Sequence, residues 1–177
     1  MKRTHWSLLI GLLLVAGVAW IWASREPAGA TASIALPPAP AAGHPAPGFK
    51  LQTVAGESFA LASLHGTPVI LNFWATWCPP CRAELPELQA AGNRYAGQVA
   101  IVGVDQAEPA GVVQKFISDN GLGFSIPLDD AATVSRLYGV RALPTTFFID
   151  RQGIIRRVQI GPLTGPTLAQ WLQTIYP

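Results

Sequence analysis

Cys78 and Cys81 are the only cysteines among 177 residues, and Pro79 and Pro80 are all that separates them. A two-residue spacer at the start of a helix lets the sulfurs meet, so the pair can pass between dithiol and disulfide without rebuilding the fold. Other uses of a cysteine pair fit these residues less well. A structural staple between such near neighbours constrains little of the unfolded chain. A structural zinc site takes about four Cys or His ligands, whereas the histidines are His5, His44 and His65 and there is no second cysteine pair. Two unrelated core thiols are the remaining alternative. The spacing points to thiol-disulfide exchange, with no metal and no cofactor expected.

The prolines shape the reactivity. If Cys78 is the helix N-cap, Pro79 takes the first helical position, where a missing N–H costs nothing. Pro80 removes a second donor. The Cys81 N–H, the Cys81 thiol and the positive helix end are then left to stabilise a Cys78 thiolate, whose pKa is expected to fall from about 8.5 towards about 7. Cys78 becomes the attacking sulfur and Cys81, one turn inside, the resolving one. Glu84 lies three residues after Cys81 on the same helix face. From spacing alone it is either a solvated acid that complements the helix dipole or a group that acts with the sulfurs.

The elements that must position these residues alternate. Pro68 to Trp74 reads as a buried strand interrupted only by Asn72. Arg82 to about Tyr95 is expected to be helical, with Leu85 and Leu88 inward and a kink at Pro86. A strand over Val99 to Val104 follows, then a helix from Pro109 to Asn120 with Val112, Val113, Phe116 and Ile117 on one side and Gly121 as its stop. Phe124 to Leu128 is a short strand, and Asp130 is expected to cap a helix carrying Val134, Leu137 and Tyr138. Thr145 to Ile149 and Ile154 to Ile160 form a hairpin around Asp150 to Gly153. A last helix carries Leu168, Trp171, Leu172 and Ile175. This order implies an α/β fold with a mixed central sheet flanked by helices.

The stretches Asn72-Phe73-Trp74-Ala75-Thr76-Trp77-Cys78-Pro79-Pro80-Cys81-Arg82 and Ala142-Leu143-Pro144-Thr145-Thr146-Phe147-Phe148-Ile149-Asp150, about sixty residues apart, together resemble the thioredoxin superfamily. The likeness is specifically to the membrane-tethered TlpA/ResA-like thiol-disulfide oxidoreductases, over about residues 47 to 177. The resemblance implies a thioredoxin-like fold, a cis Pro144 facing the cysteines and a Leu143 backbone able to pair with an extended substrate. It implies that Trp77 forms the rim of the site, and that Glu84 is the partly buried acid near the thiols. Two departures are visible. Asn72, which cannot titrate, stands where cytosolic thioredoxins carry a buried aspartate, so Glu84 is its natural substitute. The Pro-Pro spacer replaces Gly-Pro and leaves the reduction potential open.

Lys2-Arg3 precedes an uncharged run from Trp6 to Ala23. As a helix its eighteen residues would span about 27 Å, close to a ~30 Å hydrocarbon core. Residues 1–23 are therefore expected to be a signal anchor with its N-terminus cytoplasmic and the remainder exported. A cleaved signal peptide with Ala28-Gly29-Ala30 as its site is the rival, and leads to the same compartment. Residues 24–47, rich in Ala and Pro, are expected to be a linker reaching about 70 Å if extended, and 48–177 the catalytic domain, acting as a monomer. His44 and His65 have no metal-ligand company in the sequence.

A net charge of +2 with 12% charged residues offers no basic stripe, and no phosphate-cradling glycine loop occurs, so nucleic acid is not an expected partner. The expected activity is disulfide reduction in exported proteins. The resemblance names apocytochrome c and copper-site cysteines as substrates and a membrane thiol carrier as electron source. A copper chaperone on this fold would use a Cys-x3-Cys pair and a distant His, and a peroxiredoxin-type peroxidase would place its Thr three residues before the Cys. Here the spacer is two, no His follows His65, and Thr76 stands two residues before Cys78.

Overall fold

The computed structural model describes residues 36–176 and, N-terminal of them, only positions 15–17, 19–20 and 22, which are helical and exposed. Two units are distinguished, 1–35 and 36–177. The expected anchor and the first half of the expected linker thus lie almost wholly outside the described residues. Among those residues no helix is long and apolar enough to cross a membrane.

The C-terminal unit is built on one seven-stranded sheet. In chain order it comprises β1 (Lys50–Thr53), β2 (Ser58–Ala60), a 3-10 turn (Leu61–Leu64), β3 (Val69–Trp74), α1 (Pro79–Arg94), β4 (Ala100–Gln106), α2 (Ala110–Asn120), β5 (Pro127–Asp129), α3 (Thr133–Leu137), β6 (Thr145–Ile149), β7 (Ile155–Ile160) and α4 (Gly165–Leu172). The spatial order is β2-β1-β5-β4-β3-β6-β7. β3 lies parallel to β4 and antiparallel to β6, so the sheet is mixed, as the element order implies.

Strand period sorts the core into two layers. Val69, Leu71 and Phe73 of β3 face one side, with Tyr138, Phe147, Val102 and Val104. Ile70 and Trp74 face the other, with Leu85 and Leu88 of α1, Val113 of α2 and Leu168 of α4. Asn72 is fully buried on this second face by the same alternation. The buried positions of α1 are Cys81, Glu84, Leu85, Leu88 and Ala91, a helical stripe that places an acid among apolar side chains. Burying Leu85 or Leu88 contributes about 2 kcal/mol each. α1 continues through Pro86 to Arg94 as one helix. Gly103 of β4 is required by close approach: a Cβ there would lie 2.8 Å from the Phe124 ring and 3.1 Å from Trp74 Nε1.

Three sequence expectations need correction. Val112 is 48% exposed, whereas Val113 is buried in the core and Phe116 and Ile117 pack half-buried against it. Residues 43–47, which composition assigns to the linker, are held against the domain: Gly43 N–H donates to Ile155 O, Ile155 N–H to His44 O, and Tyr138 OH to Pro47 O at 2.6 Å. The N-cap position of α3 is Ala132, and the carboxylate that takes up its first-turn donors is that of Asp129, not Asp130. Asp129 ends β5 beside Gln106. A turn with Ala132 at φ 51° folds the following N–H groups back over its carboxylate. That carboxylate accepts from Val134 N (3.1 Å), Ser135 N (2.7 Å) and Ser135 Oγ (2.8 Å). Asp130 is exposed.

Replacing Asp129 by Ala strands these buried donors and is expected to cost about 2–3 kcal/mol. Asp130→Ala is expected to stay within about 0.5 kcal/mol of the parent. Urea unfolding of the two variants checks the assignment, and equal losses would return that role to Asp130.

Candidate active site

The helix start forms as its prolines dictate. Cys78 is the N-cap of α1, in extended conformation, with Pro79 at the first helical position. Its sulfur accepts the Cys81 N–H at 3.2 Å. The two cysteines form a disulfide with Cα atoms 5.3 Å apart. Both sulfurs are thus at the positive end of a sixteen-residue helix. Cys78 is 3% exposed and Cys81 fully buried. A cleft of about 340 Å³ opens over the pair, and Cys78 lines it together with Trp77, Pro80, Gln106 and Leu143. Trp77 is 65% exposed at its edge. The Leu143-Pro144 peptide is cis, and Pro144 is buried at the head of β6.

Glu84 stands below this cleft rather than in it, 1% exposed. Its Oε1 accepts from Asn72 Nδ2 at 2.7 Å and its Oε2 from the Leu163 N–H at 2.6 Å. Asn72 Nδ2 also donates to Thr146 Oγ1 at 2.9 Å. Asn72 and Thr146 are register partners on β3 and β6. The network therefore runs from the strand that follows the cis proline, through β3, to the helix of the cysteines and the loop before α4. Burial pushes the Glu84 carboxyl up to about 7, against the opposing effect of the Leu163 and Asn72 donors. The solvated-acid alternative left open by spacing is excluded by this burial.

Two further acids, not singled out by the sequence, lie behind the loop, and one of them, Glu108, braces it. Glu108 accepts from the Thr76 N–H at 2.5 Å and from Thr76 Oγ1 at 2.6 Å. Asp105, on β4 in register with Trp74, is fully buried and neither of its oxygens has a hydrogen-bond partner. Burial, then the neighbouring Glu108, pushes Asp105 up to about 8. Ala107 between them takes φ 60°, a left-handed conformation uncommon for a residue with a Cβ. A continuous apolar run ending in an acid, three residues before a second acid, was the available signal. Among the described residues no group of three or more Cys, His, Asp or Glu is arranged to hold a metal.

Comparison with known proteins agrees with this geometry. The model of the AhpC/TSA family matches residues 42–158. The thiol-disulfide oxidoreductase ResA of Halalkalibacterium halodurans is 39% identical over 137 residues, covering 77% of this chain and 78% of that protein. Sporulation thiol-disulfide oxidoreductase A of Bacillus subtilis is 31% identical over 170 residues, covering 94% and 96%. Among solved structures, a thioredoxin-family thiol:disulfide interchange protein from Chlorobium tepidum superposes with a TM-score of 0.69 at 28% identity, covering 80% of this chain and 99% of that one. The family match over residues 42–158 and the extent of the identity to these oxidoreductases place the chain in the AhpC/TSA family, with the ResA-like thiol-disulfide oxidoreductases.

Proposed function

We propose that this oxidoreductase reduces disulfides in exported proteins, with apocytochrome c or copper-site cysteines as substrates. The observation that carries the assignment of roles is that Cys78 lines the open cleft whereas Cys81 is sealed beneath it. In the reduced enzyme the Cys78 thiolate, favoured by the helix end, attacks one sulfur of the substrate disulfide and expels the other as a thiolate. Cys81 then loses its proton and attacks Cys78 Sγ. This forms the Cys78–Cys81 disulfide and releases the second substrate sulfur, so two electrons pass from enzyme to substrate. Glu84, with a pKa near neutrality and one turn from Cys81, is the group suited to take and return the Cys81 proton. Trp77 and Leu143 form the wall against which an extended substrate lies, and the cis Pro144 sets the direction of the Leu143 backbone beneath it.

The apolar run after Lys2-Arg3 supports an anchor in the cell membrane with the catalytic domain on the periplasmic or extracytoplasmic side, or release into that space after cleavage. A membrane thiol carrier is the reductant that such a compartment requires, because the periplasm is kept oxidising. A peroxidase reading is disfavoured by Thr76, whose hydroxyl is engaged by Glu108 rather than turned to sulfur.

Three outcomes are expected. A redox titration in dithiothreitol or glutathione buffers should give one two-electron transition without change of fold. Cys78→Ser should abolish exchange, whereas Cys81→Ser should accumulate a mixed disulfide with substrate, visible as a shifted band on a non-reducing gel. Persistent exchange by the Cys78 variant would overturn the choice of nucleophile.

The Glu84 assignment gives two further expectations. Ionised Glu84 disfavours a second negative charge on sulfur, so Glu84→Gln should lower the apparent thiol pKa values and slow the proton-dependent step. Alkylation rates against pH measure this, and superimposable curves would remove Glu84 from the mechanism. Stability should respond as well. The folded chain keeps on Glu84 a proton that the unfolded chain releases near 4.5, so the stabilisation is full below that pH and is lost as pH rises through about 7. Asp105 adds a loss of the same sign that extends to about 8. Urea unfolding of the oxidised chain at pH 5 and pH 8 should therefore show a decline in stability that Glu84→Gln makes shallower.

A further inference from the structure

The cleft over Cys78 carries one charged side chain, Arg141, two residues before Leu143 and exposed. Every other described arginine has a partner. Arg156 pairs with Asp150, Arg136 donates to the Ala131 carbonyl, and Arg82, Arg94, Arg151 and Arg157 lie over the rings of Phe116, Tyr95, Tyr176 and Trp171. Arg141 has neither an ion pair nor a hydrogen bond among the described residues. The acids around the cysteine loop are engaged or buried elsewhere. Glu108 holds Thr76 behind the loop, while Glu84 and Asp105 are buried below the surface. No acid lines the cleft, and its remaining walls are apolar apart from Gln106.

An unpaired guanidinium lining the same cleft as Cys78, in walls otherwise without charge, is complementary to a carboxylate brought in by whatever docks there. We infer that Arg141 selects substrates by charge: the cleft prefers disulfides whose attacked cysteine is flanked by aspartate or glutamate. This rests on the disulfide-exchange reading above and specifies its substrate class. The preference is modest, about fivefold over a neutral residue, which is the size of an exposed ion pair. It weakens with added salt, because charges in water are screened over about 10 Å at 0.1 M.

The test uses the full chain, reduced with dithiothreitol, and short peptides closed by one disulfide that differ only in a Glu, Gln or Lys beside the attacked cysteine. Second-order reduction rates are read by alkylation quench and mass spectrometry. The expected order is Glu over Gln over Lys, with the Glu/Lys ratio shrinking in 0.5 M salt. Arg141→Gln should bring that ratio to about one, and Arg141→Glu should invert it. A Glu/Lys ratio near one in the parent, a ratio that survives Arg141→Gln, or a uniform loss of rate on all three peptides would overturn the assignment. The last of these would place Arg141 on the Cys78 sulfur instead. Failure to reduce even the Gln peptide would overturn the underlying exchange reading, so the two failures are distinct.

Discussion

A carboxylate inside the apolar stripe of a helix must be answered by donors or by a proton, and Glu84 receives both. Asn72 and the Leu163 N–H supply the donors, and burial supplies the tendency to keep the proton. The positions of the donors tie the site together. Asn72 sits mid-strand and also reaches Thr146 across the sheet, while Leu163 lies in the loop that leads to the last helix. The amide at position 72 follows from the acid at 84. A second carboxylate at hydrogen-bonding distance from Glu84 would set two like charges together in a buried place, whereas an amide donates without adding charge.

The loop that carries Trp77 is held by a different acid. Glu108 fixes Thr76 by backbone and side chain at once, and reaches it because the chain turns through the left-handed conformation of Ala107. A methyl-bearing residue in that conformation stores a small strain next to the site, a place where strain commonly persists because the surroundings over-determine it. The redox pair thus rests on two supports, one beneath α1 and one behind β4. Both end in a carboxylate with restricted access to water.

Much of this was legible from the residues. The cysteine spacing, the Pro79 position and the apolar run of β3, interrupted only by Asn72, each specify a local geometry, and each formed as its chemistry requires. Glu84 could be placed on the face of Cys81 by helical period, yet its burial could not, because that depends on which strand α1 covers. Asp105 and Glu108 escaped notice for a similar reason. Their meaning arises from the register that sets β4 beside β3, a non-local fact. The hairpin of β1 and β2 was missed because its strands are only four and three residues long and carry exposed polar positions. Asp129 and Asp130 are identical in type, and only the direction of the turn after β5 decides which of them takes up the first-turn donors of α3.

The outer strand β7 has a consequence for the company this molecule keeps. It ends the sheet, so part of its backbone offers pairing to any extended chain. Arg156 and Arg157 stand on that strand, one fixed to Asp150 and the other laid over Trp171 at 3.9 Å. A visiting strand would have to displace or desolvate those guanidinium groups, which makes the border a poor template for growth. Thiol-disulfide exchange between proteins brings extended backbone close to the enzyme. A charged border of this kind disfavours the addition of such a segment to the sheet, so that a meeting ends in release rather than in a tangle.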